Sequence, residues 1–168
     1  MRSRSSARRV GAVGGKRRGY DAGKKVAGRK RHIVVDTLGF ILAVFVSAAS
    51  LHDSRGAEVL MDEMGTRQVT DFPRLEEFVA DSSYRGERLA TKAFVAGHWD
   101  VVIVTRSEEQ KGFVVQKIRW IVERTFAWLN SWRRLALDLE RYESTMEGFI
   151  YFRMINLLAS RLAAPQQP

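Results

Sequence analysis

The sequence predicts an α/β sandwich built on a mixed sheet. Three observations carry that expectation. Strand-like and helix-like segments follow one another in the order β-β-α-β-α-β-α-α. The chain has 168 residues, of which 45% are apolar, enough for one compact domain with its own core. It finishes on two long stretches of helical spacing.

The elements follow in order. Residues 1–31 are rich in Gly, Ser, Arg and Lys, lack an apolar period, and read as a basic, largely irregular N-terminal arm. "HIVVD", the turn "TLGF" and "ILAVFVSAA" read as a hairpin, with Gly39 able to take a turn conformation that other residues avoid. "SRGAEVLMDEM" reads as a helix capped by Asp53 or Ser54. "EEFVAD" is a short strand ending on Asp81, and "RGERLATKAFVAGH" is a helix stopping at Gly97. "DVVIVTR" is a β-branched strand. Residues 117–141 read as one long helix. "STMEGFIYFRMINLLASRLA" reads as another, opened by a capping box of Ser144 and Glu147.

Charge is the informative part of the composition. The net charge is +9, and residues 1–32 hold twelve Lys or Arg against one acid, Asp21. That segment carries +11, so the rest of the chain carries about −2. A cationic arm on a near-neutral body is the electrostatic footprint of a polyanion binder, with nucleic acid the leading partner. The candidate DNA contacts are Lys16, Arg17, Arg18, Lys24, Lys25, Arg29, Lys30 and Arg31. The competing reading is a solvated tail. The chain has no cysteine, which excludes a disulfide framework, a thiolate zinc site and a Cys nucleophile. The longest apolar run, "GFILAVFVSAAS", is too short to span a bilayer, and a soluble cytoplasmic protein is expected.

Two carboxylates invite a chemical reading. On an ideal helix Ile118, Ile121, Val122, Thr125, Leu129 and Trp132 form a core stripe. Arg119, Glu123, Asn130 and Arg134 fall on a second stripe. Arg119 and Glu123 are then either a surface i,i+4 pair, worth about 0.2–0.5 kcal/mol, or a phosphate-contacting and metal-bearing pair. Asp81 ends a strand, where ligand sites gather in open α/β sheets, although strand-end Asp residues also cap turns. Carboxylates on a strand end and a helix suit Mg²⁺-dependent phosphoryl transfer, with substrate oxygens completing the shell.

Three blocks, "GYDAGKKVAGRKRHIVVDT", "FVADSSYRGE" and "RWIVERTFAWLNSWRRL", resemble the catalytic half of bacterial insertion-sequence transposases of the DDE type, whose core is RNase-H-like. The likeness runs from about Gly19 to Leu162 and implies a catalytic domain over residues 32–164. It implies a mixed sheet flanked by helices and ending in a long helical pair. It also implies three acids holding two Mg²⁺ ions, with Mn²⁺ a plausible substitute. The second acid maps to Asp81, the third to Glu123, and the family's phosphate-contacting Arg to Arg119. The activity implied is hydrolysis at the element ends followed by strand transfer into target DNA. The implied assembly is a homo-oligomer on DNA, nucleoid-associated when bound.

Two departures stand out. Asp81-Ser82-Ser83-Tyr84 replaces the family's Asp-Gly-Gly-Tyr, which is tolerable unless a positive φ is needed there. The first acid, expected before the Ser3-Arg4-Ser5 stretch, is Arg2. The first, central strand is therefore expected to be degenerate or missing, with the first dozen residues supplying a makeshift strand or leaving the chain poorly stable. Asp36 is a substitute metal ligand, although turn and capping roles come first for it and for Asp53. Two histories fit: a frame completed by an upstream-frame partner polypeptide, or a truncated copy. The alternative function is a catalytically incomplete DNA-binding remnant that occupies DNA or modulates an intact transposase. An RNA-binding role in translation is disfavoured, since residues 1–32 contain one aromatic, Tyr20.

Overall fold

The computed structural model describes residues 2–5, 18–67, 71–104 and 117–164. Strands β1 (Arg2–Ser5), β2 (Gly19–Asp21), β3 (Val26–Val35) and β4 (Ile41–Ala48) precede α1 (Asp53–Thr66). Then come β5 (Glu77–Asp81), a 3-10 turn (Ser82–Tyr84), α2 (Glu87–Gly97) and β6 (Asp100–Val104). Three helices close the order: α3 (Lys117–Asn130), α4 (Arg133–Ala136) and α5 (Glu143–Ala163).

The expected single mixed sheet is divided in two among the described residues. β3 is the hub of a four-stranded antiparallel sheet with β1, β2 and β4, while β5 and β6 form a parallel pair. The makeshift strand expected near the start of the chain is β1. The arm is shorter than the sequence suggests, because Val26–Arg31 already belong to β3.

Helices cover both faces. One core joins Val34, Ala43, Leu60, Met64, Phe78 and Trp99 between the strands and α1 with α2. The other joins Ile33, Val44, Phe126, Leu129, Met146 and Ile150 between β3–β4 and α3–α5. α1 forms because Ala57, Leu60, Met61 and Met64 recur at helical spacing and all are buried. His52, not Asp53 or Ser54, caps it: its ring nitrogen accepts from the Ser54 N–H. α2 ends at Gly97, with His98 in the left-handed region at φ 57°.

Two further expectations fail for physical reasons. The helix read over residues 117–141 breaks after Asn130. There Ser131 Oγ and Arg153 Nε both donate to the Trp128 carbonyl, at 2.9 and 3.2 Å. The break turns Leu135 of α4 into the core. The Ser144–Glu147 capping box does not form: Tyr142 is the N-cap and makes no side-chain cap bond. Glu147 Oε1 instead accepts the Val46 N–H at 2.8 Å, which gives that β4 donor a partner.

Candidate active site

Asp81 is the last residue of β5, whose Phe78 and Ala80 point into the core. Its Oδ1 accepts the Ser83 N–H at 2.9 Å and the Ser83 hydroxyl, so the carboxylate closes the 3-10 turn that follows. Buried Tyr84 anchors that turn. Neither serine takes a positive φ, so the Ser-Ser departure costs no backbone strain. Gly86, at φ 148°, breaks the chain into α2.

Glu123 lies on α3 beside a buried stripe of Val122, Thr125, Phe126 and Leu129. Phe126 was absent from the expected stripe. Arg119 Nε donates to Glu123 Oε1 at 3.1 Å, with side chains 57% and 41% exposed. Such a pair contributes little to stability. What fixes the helix is its contact with the β3–β4 turn. Thr125 Oγ1 donates to the Gly39 carbonyl at 2.6 Å, and Arg124 donates to the Leu38 carbonyl at 2.7 Å. The Arg124 guanidinium lies over the Trp120 and Trp128 rings, at 4.4 and 4.8 Å. Gly39, at φ 86°, has no room for a Cβ against Thr125. Sequence reasoning missed Ser83 and Arg124 as supports. The Trp120–Arg124–Trp128 spacing of four was the available signal for Arg124, whereas nothing singled out Ser83.

The basic residues part company. Lys16 and Arg17 lie outside the described residues. Arg18, Lys24 and Lys25 are exposed, with Lys24 Nζ 3.4 Å from Asp53. Arg29, Lys30 and Arg31 are buried, contrary to their expected place on a DNA-facing arm. Arg29 pairs with Asp138 and the Glu140 carbonyl. That pairing raises its already high pKa, against the opposing effect of burial. Lys30 Nζ meets Asp21 Oδ2 at 2.9 Å, Asp53 Oδ1 at 3.0 Å and the Leu51 carbonyl at 2.9 Å, which uses all three of its donors. Arg31 donates to the Leu135 carbonyl at 2.6 Å and to Asn130 at 3.4 Å. These cations are pinned by their own chain. Asp36 accepts from the Leu38 and Phe40 N–H groups at 2.9 and 2.8 Å, so its carboxylate serves the turn.

Carboxylate oxygens are the donors that Mg²⁺ takes, usually one or two of them with substrate and water completing the shell. Asp81 and Glu123 suit that chemistry. No group of three His, Cys, Asp or Glu that could hold a metal ion is assembled among the described residues. No helix among the described residues is long and apolar enough to cross a membrane.

A basic α/β domain with one acid ending a strand and another on a late helix is the class to which DDE domains belong. The family model described as "Transposase DDE domain" matches residues 4–157. A Burkholderia cepacia protein carrying the name of transposase for insertion sequence element IS402 is 35% identical over 126 residues, covering 73% of this chain and 59% of that protein. The chain thus matches about three fifths of that relative's length. No solved structure matches. The chain belongs to the transposase DDE domain family of insertion sequences.

Proposed function

We propose that the chain is the RNase-H-like catalytic part of an insertion-sequence transposase, cutting DNA at element ends and joining them to target DNA with Mg²⁺ or Mn²⁺. The observation that carries this reading is the placement of Asp81 at the end of β5 and Glu123 on α3, both inside the family match. Asp81 and Glu123 would hold the metal, which supplies a stronger nucleophile and steadies the leaving oxygen. Ser83 holds Asp81 in one orientation through its N–H and hydroxyl. Arg119 keeps Glu123 extended and, once a phosphate arrives, transfers its guanidinium from carboxylate to phosphate. Arg18, Lys24 and Lys25 neutralise backbone phosphates from outside the catalytic pair. The working form is a homo-oligomer on DNA.

A nicking and strand-transfer assay with Mg²⁺, Mn²⁺ or EDTA tests the reading. Asp81→Asn and Glu123→Gln are expected to lower cutting by about 100-fold or more while leaving Tm and DNA affinity unchanged. Cutting that survives both substitutions sinks it. A second reading, the DNA-binding remnant, is favoured by Arg2, which stands in β1 opposite Ile33, where the family resemblance implies the first acid. DNA binding by the unaltered chain with no metal-dependent cutting would select that reading.

A further inference from the structure

Many cations of this fold meet an acid: Arg29, Lys30, Arg55, Arg67, Lys92 and Arg134 each form an ion pair. Around Trp128 of α3 the pattern differs. Arg124, Arg153 and Arg161 gather there, and none of the three has a carboxylate partner among the described residues. Arg124 donates to the Leu38 carbonyl. Arg153 donates to the Trp128 carbonyl and to Ser131 Oγ, each at 3.2 Å. Arg161 of α5 lies over the Phe40 and Trp128 rings, at 5.0 and 4.5 Å, and makes no hydrogen bond among the described residues.

The rings orient these cations without neutralising them. A stacked guanidinium is held by its face, and its N–H groups stay in the plane, at the edge. Arg124 and Arg161 both meet the Trp128 ring, and Arg124 also covers Trp120. The cluster is at the surface: Arg161 is exposed, Arg124 and Arg153 are half-buried, and Trp120 is 49% exposed. Three like charges around one indole concentrate positive potential where solvent and a large anion can reach it.

The cluster also adjoins Glu123. On α3, Trp120, Arg124 and Trp128 recur every four residues as one stripe, turned about 60–140° from Glu123. Ala127, which is exposed, lies between that stripe and Glu123. The buried Val122, Phe126 and Leu129 lie on the other side of Glu123. We infer, on the catalytic reading of Glu123 given above, that the Arg124–Arg153–Arg161 seam between α3 and α5 is a phosphate track, which carries the DNA backbone past the Glu123 face of α3. Guanidinium edges pair with phosphate oxygens in bidentate fashion, and the backbone supplies the anionic partners that the chain does not.

The test is binding of the full chain to a labelled duplex of roughly 20 base pairs, read by fluorescence anisotropy across a salt series in EDTA. Arg161→Gln is expected to weaken binding about threefold to tenfold and to lower the salt slope by about 1. Arg161→Glu should weaken it further, whereas Arg161→Lys keeps the charge and should keep the slope. Arg153→Gln repeats the comparison at a second position, and thermal melts check that each variant is folded. Glu123→Gln should bind as the unaltered chain does. Binding in EDTA needs no cutting, so a chain that cuts no DNA but loses salt slope in Arg161→Gln keeps the seam and sinks the catalytic reading. Cutting with a salt slope unchanged in the folded Arg161 and Arg153 variants does the reverse. Poly-glutamate that displaces the duplex at equal charge concentration would also overturn the inference, by marking the seam as a site for an acidic protein.

Discussion

Gly56 of α1 lies directly on the imidazole of His32 in β3: a Cβ built at Gly56 would come within 2.3 Å of the ring. The helix reaches the sheet so closely because that position has no side chain. Gly56→Ala gains helix propensity, about 1 kcal/mol, but forces the ring or the helix to move, at about 1–3 kcal/mol. Net destabilisation is expected in urea titrations. A stabilised variant would show that the ring yields freely.

His32 also gives the fold an acid sensitivity. Burial pushes its pKa down to about 4 from an ordinary 6.5, and its Nε2 lies 2.8 Å from Ser47 Oγ. Between those values the unfolded chain binds the extra proton, so stability is full above pH 6.5 and falls as pH drops toward 4. The loss amounts to about 3 kcal/mol and levels off below that window. Subtracting the pH–stability curve of His32→Gln from that of the unaltered chain isolates it. A flat difference between pH 7 and 4 would contradict it.

Glu147 has the opposite sign. Burial raises its pKa, partly countered by the Val46 N–H that it accepts. The folded state therefore favours the protonated carboxyl, and this residue's contribution improves as pH falls through the raised value. Glu147→Gln keeps an acceptor for Val46 without the charge, so neutral or improved stability is expected at pH 7. Glu147→Ala leaves that N–H without this acceptor and should cost about 1–3 kcal/mol. Equal chemical-denaturation midpoints for the Gln and Ala variants would refute the assignment.

The cations of residues 18–31 should separate by assay. Neutralising Arg18 or Lys25 is expected to reduce the salt slope of DNA binding by about 1 each, with little change in Tm. Asp138→Asn strips buried Arg29 of its carboxylate and should cost about 3 kcal/mol of stability. A DNA-binding loss at unchanged stability in Arg29→Gln would return that residue to the DNA surface.

Much of the fold was legible in the sequence. Gly39 marked the hairpin turn, the short apolar run ending on Asp81 marked β5, and the stop at Gly97 matched the end of α2. The family blocks singled out Asp81 and Glu123. Harder to read were places where one side chain has two possible employers. Glu147 had capping-box spacing, yet it serves a β4 N–H 101 positions away in the chain. The stretch from 117 to 141 kept its helical period, but the Trp128 carbonyl is claimed by Ser131 and Arg153.

By itself the sequence determined the order of elements from the hairpin to β6 and the family, and it singled out Asp81 and Glu123 as candidates, because periodicity, turn chemistry and motif spacing are local properties. The tertiary structure alone decided that Arg29, Lys30 and Arg31 belong to the interior. Burial of a cation depends on which groups wait for it. The Asp138 carboxylate that receives Arg29 comes from 109 positions further along the chain. No local pattern distinguishes such a residue from one that faces solvent or DNA.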